Sequence, residues 1–155
     1  MRIIRVCFTV LARFFISLIF LSGALNTILH WNETEGLLLN ILAEWQAHVS
    51  FWEWLQDGFG VIIPFSPLLL IIATVFQFFG ALSILLGFKE KWGASLLICF
   101  LVPVTIIMHQ FWFIEGPARD VQMMHFFKNL AILGGVILIA LQGTESSKSS
   151  FPMKF

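Results

Sequence analysis

Long charge-free runs dominate the pattern of this chain. Residues Phe14 to Asn32, Gly58 to Phe88 and Trp92 to Ile114 carry no charge, and Val121 to Thr144 is interrupted by Lys128 alone. Each run reaches the roughly 20 apolar residues that cross a bilayer as a helix. The second is too long for one crossing, but Ser66-Pro67 reads as an N-cap followed by proline at the first helical position. The pattern therefore predicts transmembrane helices over about 9–29, 67–87, 92–113 and 121–142. The expected fold is all-α: an integral membrane four-helix bundle.

A different pattern fills the gap between the first two spans, in "EGLLLNILAEWQAHVSFWEWLQDG". Leu38, Ile41, Trp45, Val49 and Trp52 recur at three- and four-residue spacing, opposite Asn40, Glu44 and Glu53. This predicts one extra amphipathic interfacial helix, too short and too charged to cross. Trp45, Trp52 and Trp54 suit the aromatic belt at the membrane surface. An inert lid satisfies this pattern, and a gate over a site beneath it is the alternative. Residues 1–142 read as a single four-span domain, and 143–155, "GTESSKSSFPMKF", as a short cytoplasmic tail.

Charge gives the spans a direction. Arg2, Arg5, Arg13, Lys89, Lys91, Lys148 and Lys154 fall on one side, seven of the nine basic residues. Glu33, Glu35, Glu44, Glu53, Asp57, Glu115 and Asp120 fall on the other, with Arg119 the one base among them. The positive-inside rule then puts both termini in the cytoplasm, as in a multi-pass protein of a bacterial inner membrane. The first span also has the basic start, apolar core and small residues (Ser22-Gly23-Ala24) of a signal peptide, so its cleavage is left open. Asn32-Glu33-Thr34 is a formal glycosylation triplet of a kind common by chance.

Composition agrees with lipid as the solvent. The chain is 59% hydrophobic and 12% charged, against about a quarter charged in soluble domains. A net charge of zero argues against a nucleic-acid partner. Cys7 and Cys99 lie far apart, which excludes a C-x-x-C redox pair.

The candidate chemistry lies in polar residues where lipid favours leucine. In the fourth span Gln122, His125, Lys128 and Asn129 share one helical face at i, i+3, i+6 and i+7. Ser22, Asn26 and His30 share a face of the first span, and Thr105, His109 and Trp112 one of the third. Thr74 and Gln77 sit one turn apart in the second. Antiparallel spans would bring the outer halves together, so a ligand pocket is expected from Asn26, His30, Gln77, His109, Trp112, His125, Lys128 and Asn129. Helix-to-helix hydrogen bonding alone is the competing explanation. No metal is assigned, because no span contains an acidic residue and Lys128 would repel a cation. Quinone and haem remain as candidate cofactors, and whether the protein is an enzyme is left open. Close helix packing is expected at Gly23-x-x-x-Thr27, Ser83-x-x-x-Gly87 and Gly134-Gly135, with a kink at Pro103.

In order and spacing, "LIFLSGALN", "LLGFKEKW", "PVTIIMHQFW" and "MMHFFKNLAILGG" resemble the DoxX family of small membrane proteins. That resemblance implies a four-helix membrane protein serving as accessory or subunit of a membrane oxidoreductase system. It also implies a quinone or redox protein as partner, beside the lipid bilayer. By the same resemblance Arg13, Gly23, Asn26, His109, Trp112, Lys128 and Asn129 are recurring positions. The chain departs from the pattern at Gln77, where many members carry an acid. A small-solute or anion permease and a non-catalytic membrane scaffold are the alternatives; oligomerisation is left open.

Overall fold

The computed structural model describes residues 2–142, so the expected tail at 143–155 lies outside the described residues. Six helices follow in order: α1 (Arg2–Leu29), α2 (Trp31–His48), α3 (Glu53–Ile62), α4 (Ser66–Leu86), α5 (Glu90–Met108) and α6 (Pro117–Gln142). Four segments are long and apolar enough to cross a membrane: Val6–Leu29, Glu53–Leu86, Glu90–Phe113 and Pro117–Gln142. The chain is an all-α, multi-pass membrane protein.

The spans pack in chain order, α1 on α4, α4 on α5 and α5 on α6. Ile16 and Phe20 of α1 share one apolar cluster with Val136 and Ile139 of α6 and with Ala81, Ile84, Ala94 and Leu97. The tightest crossing joins α4 to α5. A Cβ on Gly93 would stand 2.6 Å from the Ser83 Cβ and 2.8 Å from the Gly80 carbonyl oxygen, and one on Gly80 2.9 Å from the Gly93 carbonyl. Backbone approaches backbone there, as small residues allow between membrane helices. Of the motifs expected to do this, Ser83-x-x-x-Gly87 supplies Ser83 to this crossing, while the other two behave otherwise. Gly23 faces the Gln77 side chain, and Gly134 has no neighbour within 4 Å. Spacing along one helix reveals a small face but not which partner comes to it.

At the end of the bundle where α1 begins and α6 finishes, Arg13 of α1 pairs with Glu90 in the first turn of α5. Its guanidinium fills the space beside Gly87, whose φ of +68° closes α4 in the left-handed conformation. Glycine meets both demands at once, lacking a Cβ and tolerating positive φ. Lys91 then donates to the Leu141 carbonyl at 3.0 Å, which ties α5 to the end of α6.

Two helices, rather than the one expected, fill the segment between the first two spans. The chain leaves α2 at Val49 and resumes at Glu53, with Trp52 extended (φ −111°, ψ 96°). Leu42 and Val49 are buried along α2, whereas Trp52, beyond the break, is exposed. A 3-10 turn over Ile63–Phe65, containing Pro64, then leads into α4. Because this turn supplies the Ile63 carbonyl to the Ser66 amide, helix α4 begins at Ser66 with Phe65 in the capping position. α5 runs through Pro103 as one helix.

Candidate functional site

The end of the molecule opposite the start of α1 and the finish of α6 is built by the link between α5 and α6 and by the α2–α3 pair above it. α5 stops at Met108, with His109 turning out of the helix (φ −116°, ψ 59°). Phe111–Phe113 form a 3-10 turn. Gly116, at φ +73°, then redirects the chain into Pro117 at the first position of α6, a residue whose fixed φ suits a helix start.

That geometry sets His109 beside the first turns of α6. Its Nδ1 lies 2.8 Å from Gln122 Oε1 and donates to it, since the amide oxygen can only accept. The His109 and His125 rings stack at 5.5 Å with planes 18° apart. Lys128 Nζ stands 3.1 Å from His125 Nδ1, so the ammonium donates and His125 keeps its proton on Nε2. Gln122, His125 and Lys128, three residues apart, thus form a ladder along one edge of α6 that His109 joins from α5. Insertion of a lysine at the centre of a membrane helix costs about 2.5–3.5 kcal/mol.

Of the eight residues expected to share a pocket, the structure brings His109, His125 and Lys128 together. Trp112 adjoins them through Phe126, whose ring lies 5.8 Å away, and half-buried Asn129 follows Lys128. Gln77 lies elsewhere, buried between α4 and α1, with its Nε2 2.5 Å from where a Gly23 Cβ would be. Asn26 on α1 and His30 just beyond its end are exposed, and the His30 ring bonds back to the Asn26 carbonyl at 3.2 Å. The group is a surface ladder rather than an enclosed pocket, for Lys128 is exposed.

Sequence reasoning missed what holds the α5–α6 link in place. Trp45 of α2 donates its indole N–H to the Ile107 carbonyl at 3.0 Å, one of the carbonyls left free at a helix end. Gln110 donates to Glu44 at 2.5 Å. Trp45 also stacks on Phe59 of α3 at 5.9 Å and meets Phe113 edge-on at 5.2 Å, while His48 stacks on Phe113 at 4.2 Å. These contacts latch α2 and α3 onto the link as a cap. Trp45 on an apolar helical face was the only signal for it, and that face does not say what it covers.

Among the described residues no three His, Cys, Asp or Glu side chains gather where a metal could bind. Among the described residues each histidine ring bonds an amide, an amine or a backbone carbonyl.

Comparison with known proteins points away from DoxX. Residues 67–150 match the model of the SURF4 family. The chain is 35% identical over 80 residues to inner membrane protein YphA of Escherichia coli (strain K12), covering 52% of this chain and 57% of that one. It is 29% identical over 70 residues to the ER-derived vesicles protein ERV29 of Saccharomyces cerevisiae, covering 45% and 23%. With the Surfeit locus protein 4 homolog of Schizosaccharomyces pombe it shares 34% over 62 residues, 39% and 20% of the two chains. The matched stretch thus spans just over half of the bacterial relative and about a quarter or less of the two fungal ones. No solved structure matches the chain. Three of the four stretches read as DoxX-like, "LLGFKEKW", "PVTIIMHQFW" and "MMHFFKNLAILGG", lie inside the SURF4 match. The resemblance is therefore corrected. With it the oxidoreductase accessory and its quinone or redox partner lose their basis.

Proposed function

The chain belongs to the SURF4 family, and from that premise we propose that it is a non-catalytic membrane receptor. It captures a polypeptide partner at the capped end of the bundle. The observation that carries this reading is the latch of Trp45, Gln110 and Glu44. Groups that merely glue spans together would lie between spans, whereas this latch holds an ordered helical platform at one end. Phe51 and Trp54, 87% and 73% exposed, rim the platform with large side chains of the kind enriched at interface centres. The yeast relative, by its name, is a protein of ER-derived vesicles. By the distribution of basic residues both termini are cytoplasmic and the cap stands on the opposite face. The membrane is an inner membrane, as in the name of the Escherichia coli relative.

Site-specific photo-crosslinking in living cells tests the reading. A photoreactive residue in place of Phe51 or Trp54 should give discrete polypeptide adducts. The same residue in place of Leu138, exposed at the other end of α6, should not. Unlatching the cap with Trp45→Ala should abolish the adducts. Equal labelling from Phe51, Trp54 and Leu138, or adducts indifferent to Trp45→Ala, would reject a receptor at this end.

A further inference from the structure

Lys128 brings a positive charge into the fourth span, and among the described residues it meets no carboxylate. The salt bridge of the described chain, Arg13 with Glu90, is at the other end. Lys128 stands about 16 Å along α6 from Pro117, at 1.5 Å per residue. Its side chain turns back toward that start, as helical side chains do, and reaches His125 at 3.1 Å. The ammonium is thereby lifted about one turn toward the capped surface, in the manner of a snorkelling lysine. Two ammonium N–H groups and the His125 Nε2–H are left to donate. His109, held by Gln122 at 2.8 Å, backs the His125 ring. Met124 and Phe127, 68% and 56% exposed, flank Lys128 with apolar surface.

Donors for an anion set at the edge of an exposed apolar helix face match one kind of ligand: an acidic head carried on acyl chains. We propose that Lys128 and His125, backed by His109, form a binding site for the phosphate of an anionic phospholipid in the leaflet at the capped end. The ammonium and the imidazole N–H hold the phosphate oxygens, and the acyl chains lie along Met124 and Phe127. A soluble anion could offer the same phosphate chemistry but would leave the apolar flank uncovered. The site is independent of the receptor reading, because no cap residue takes part.

Native mass spectrometry of the full chain, delipidated in detergent and titrated with phosphatidylglycerol, phosphatidylcholine or diacylglycerol, tests it. One phosphatidylglycerol should stay bound under activation that strips the other two. Lys128→Leu should weaken that retention about five-fold, the worth of one basic side chain beside an anionic surface. His125→Phe should weaken it too. Lys128→Arg should preserve it, which separates loss of charge from loss of fold, and Lys91→Leu at the other end should leave it unchanged. Diacylglycerol held as firmly as phosphatidylglycerol would overturn the proposal, as would a Lys128→Leu protein that binds like the parent. Lys128→Arg losing the lipid while its thermal unfolding is unchanged would do the same. Displacement of the lipid by millimolar inorganic phosphate would assign the site to a free anion and equally overturn it.

Discussion

At the scale of single residues, two glycines that look alike in the sequence have opposite parts. Gly93 sits where α4 and α5 touch, and a methyl group there would meet the Ser83 Cβ and the Gly80 carbonyl below 3.0 Å. Neither is the movable tip of a long side chain, so the helices must separate. Gly93→Ala should lower stability by about 1–3 kcal/mol, the usual cost of overpacking. Gly134 lies in α6 with no neighbour within 4 Å. Gly134→Ala should therefore raise stability by about 0.5–1 kcal/mol, because alanine loses less backbone freedom in a helix. Thermal unfolding of the two variants in the same detergent checks both signs. The sequence pointed to Ser83, which does meet Gly93, and to Gly134-Gly135, but passed over Gly80 and Gly93. Those two lie 13 positions apart on successive spans, and no one-helix periodicity joins them.

Between elements, the contacts of interest run from α2 to the α5–α6 link. The Trp45 indole joins the Ile107 carbonyl and stacks on Phe59. Removal of a hydrogen bond worth about 0.5–1.5 kcal/mol and of an aromatic pair worth about 0.5–1.5 kcal/mol should free the cap without unfolding the spans. In hydrogen exchange, Trp45→Ala should speed exchange across α2, residues 31–48, and leave the protection of α4 unchanged. Uniform loss of protection through α4 would mean that α2 is part of the bundle's core rather than a cap on it. The apolar face of α2 could be read from its periodicity. Its break at Val49–Trp52 could not, since Ser50 and Phe51 carry no glycine or proline to mark a turn.

For the whole molecule, the four spans were legible because each apolar run outlasts the bilayer, a constraint that leaves few alternatives. The polar ladder was half legible. Helical spacing identified Gln122, His125 and Lys128 as neighbours, and His109 joins them. Depth alone also suggested Asn26, His30 and Gln77, but depth does not fix rotation about a helix axis. Gln77 turns instead to Gly23, the gap on α1 that accommodates it. Family assignment failed for a related reason: the quoted motifs are short and mostly apolar, as any lipid-crossing helix demands.

Cysteine accessibility measures directly whether the cap faces away from the compartment in which α1 begins and α6 ends. With Cys7 and Cys99, both exposed, replaced by serine and alanine, single cysteines go in at Ser50 in the α2–α3 turn and at Lys91 at the start of α5. In right-side-out vesicles, a membrane-impermeant maleimide should label Ser50→Cys at once and Lys91→Cys only after permeabilisation. Immediate labelling of Lys91→Cys with Ser50→Cys protected would place the cap in the cytoplasm and contradict the account.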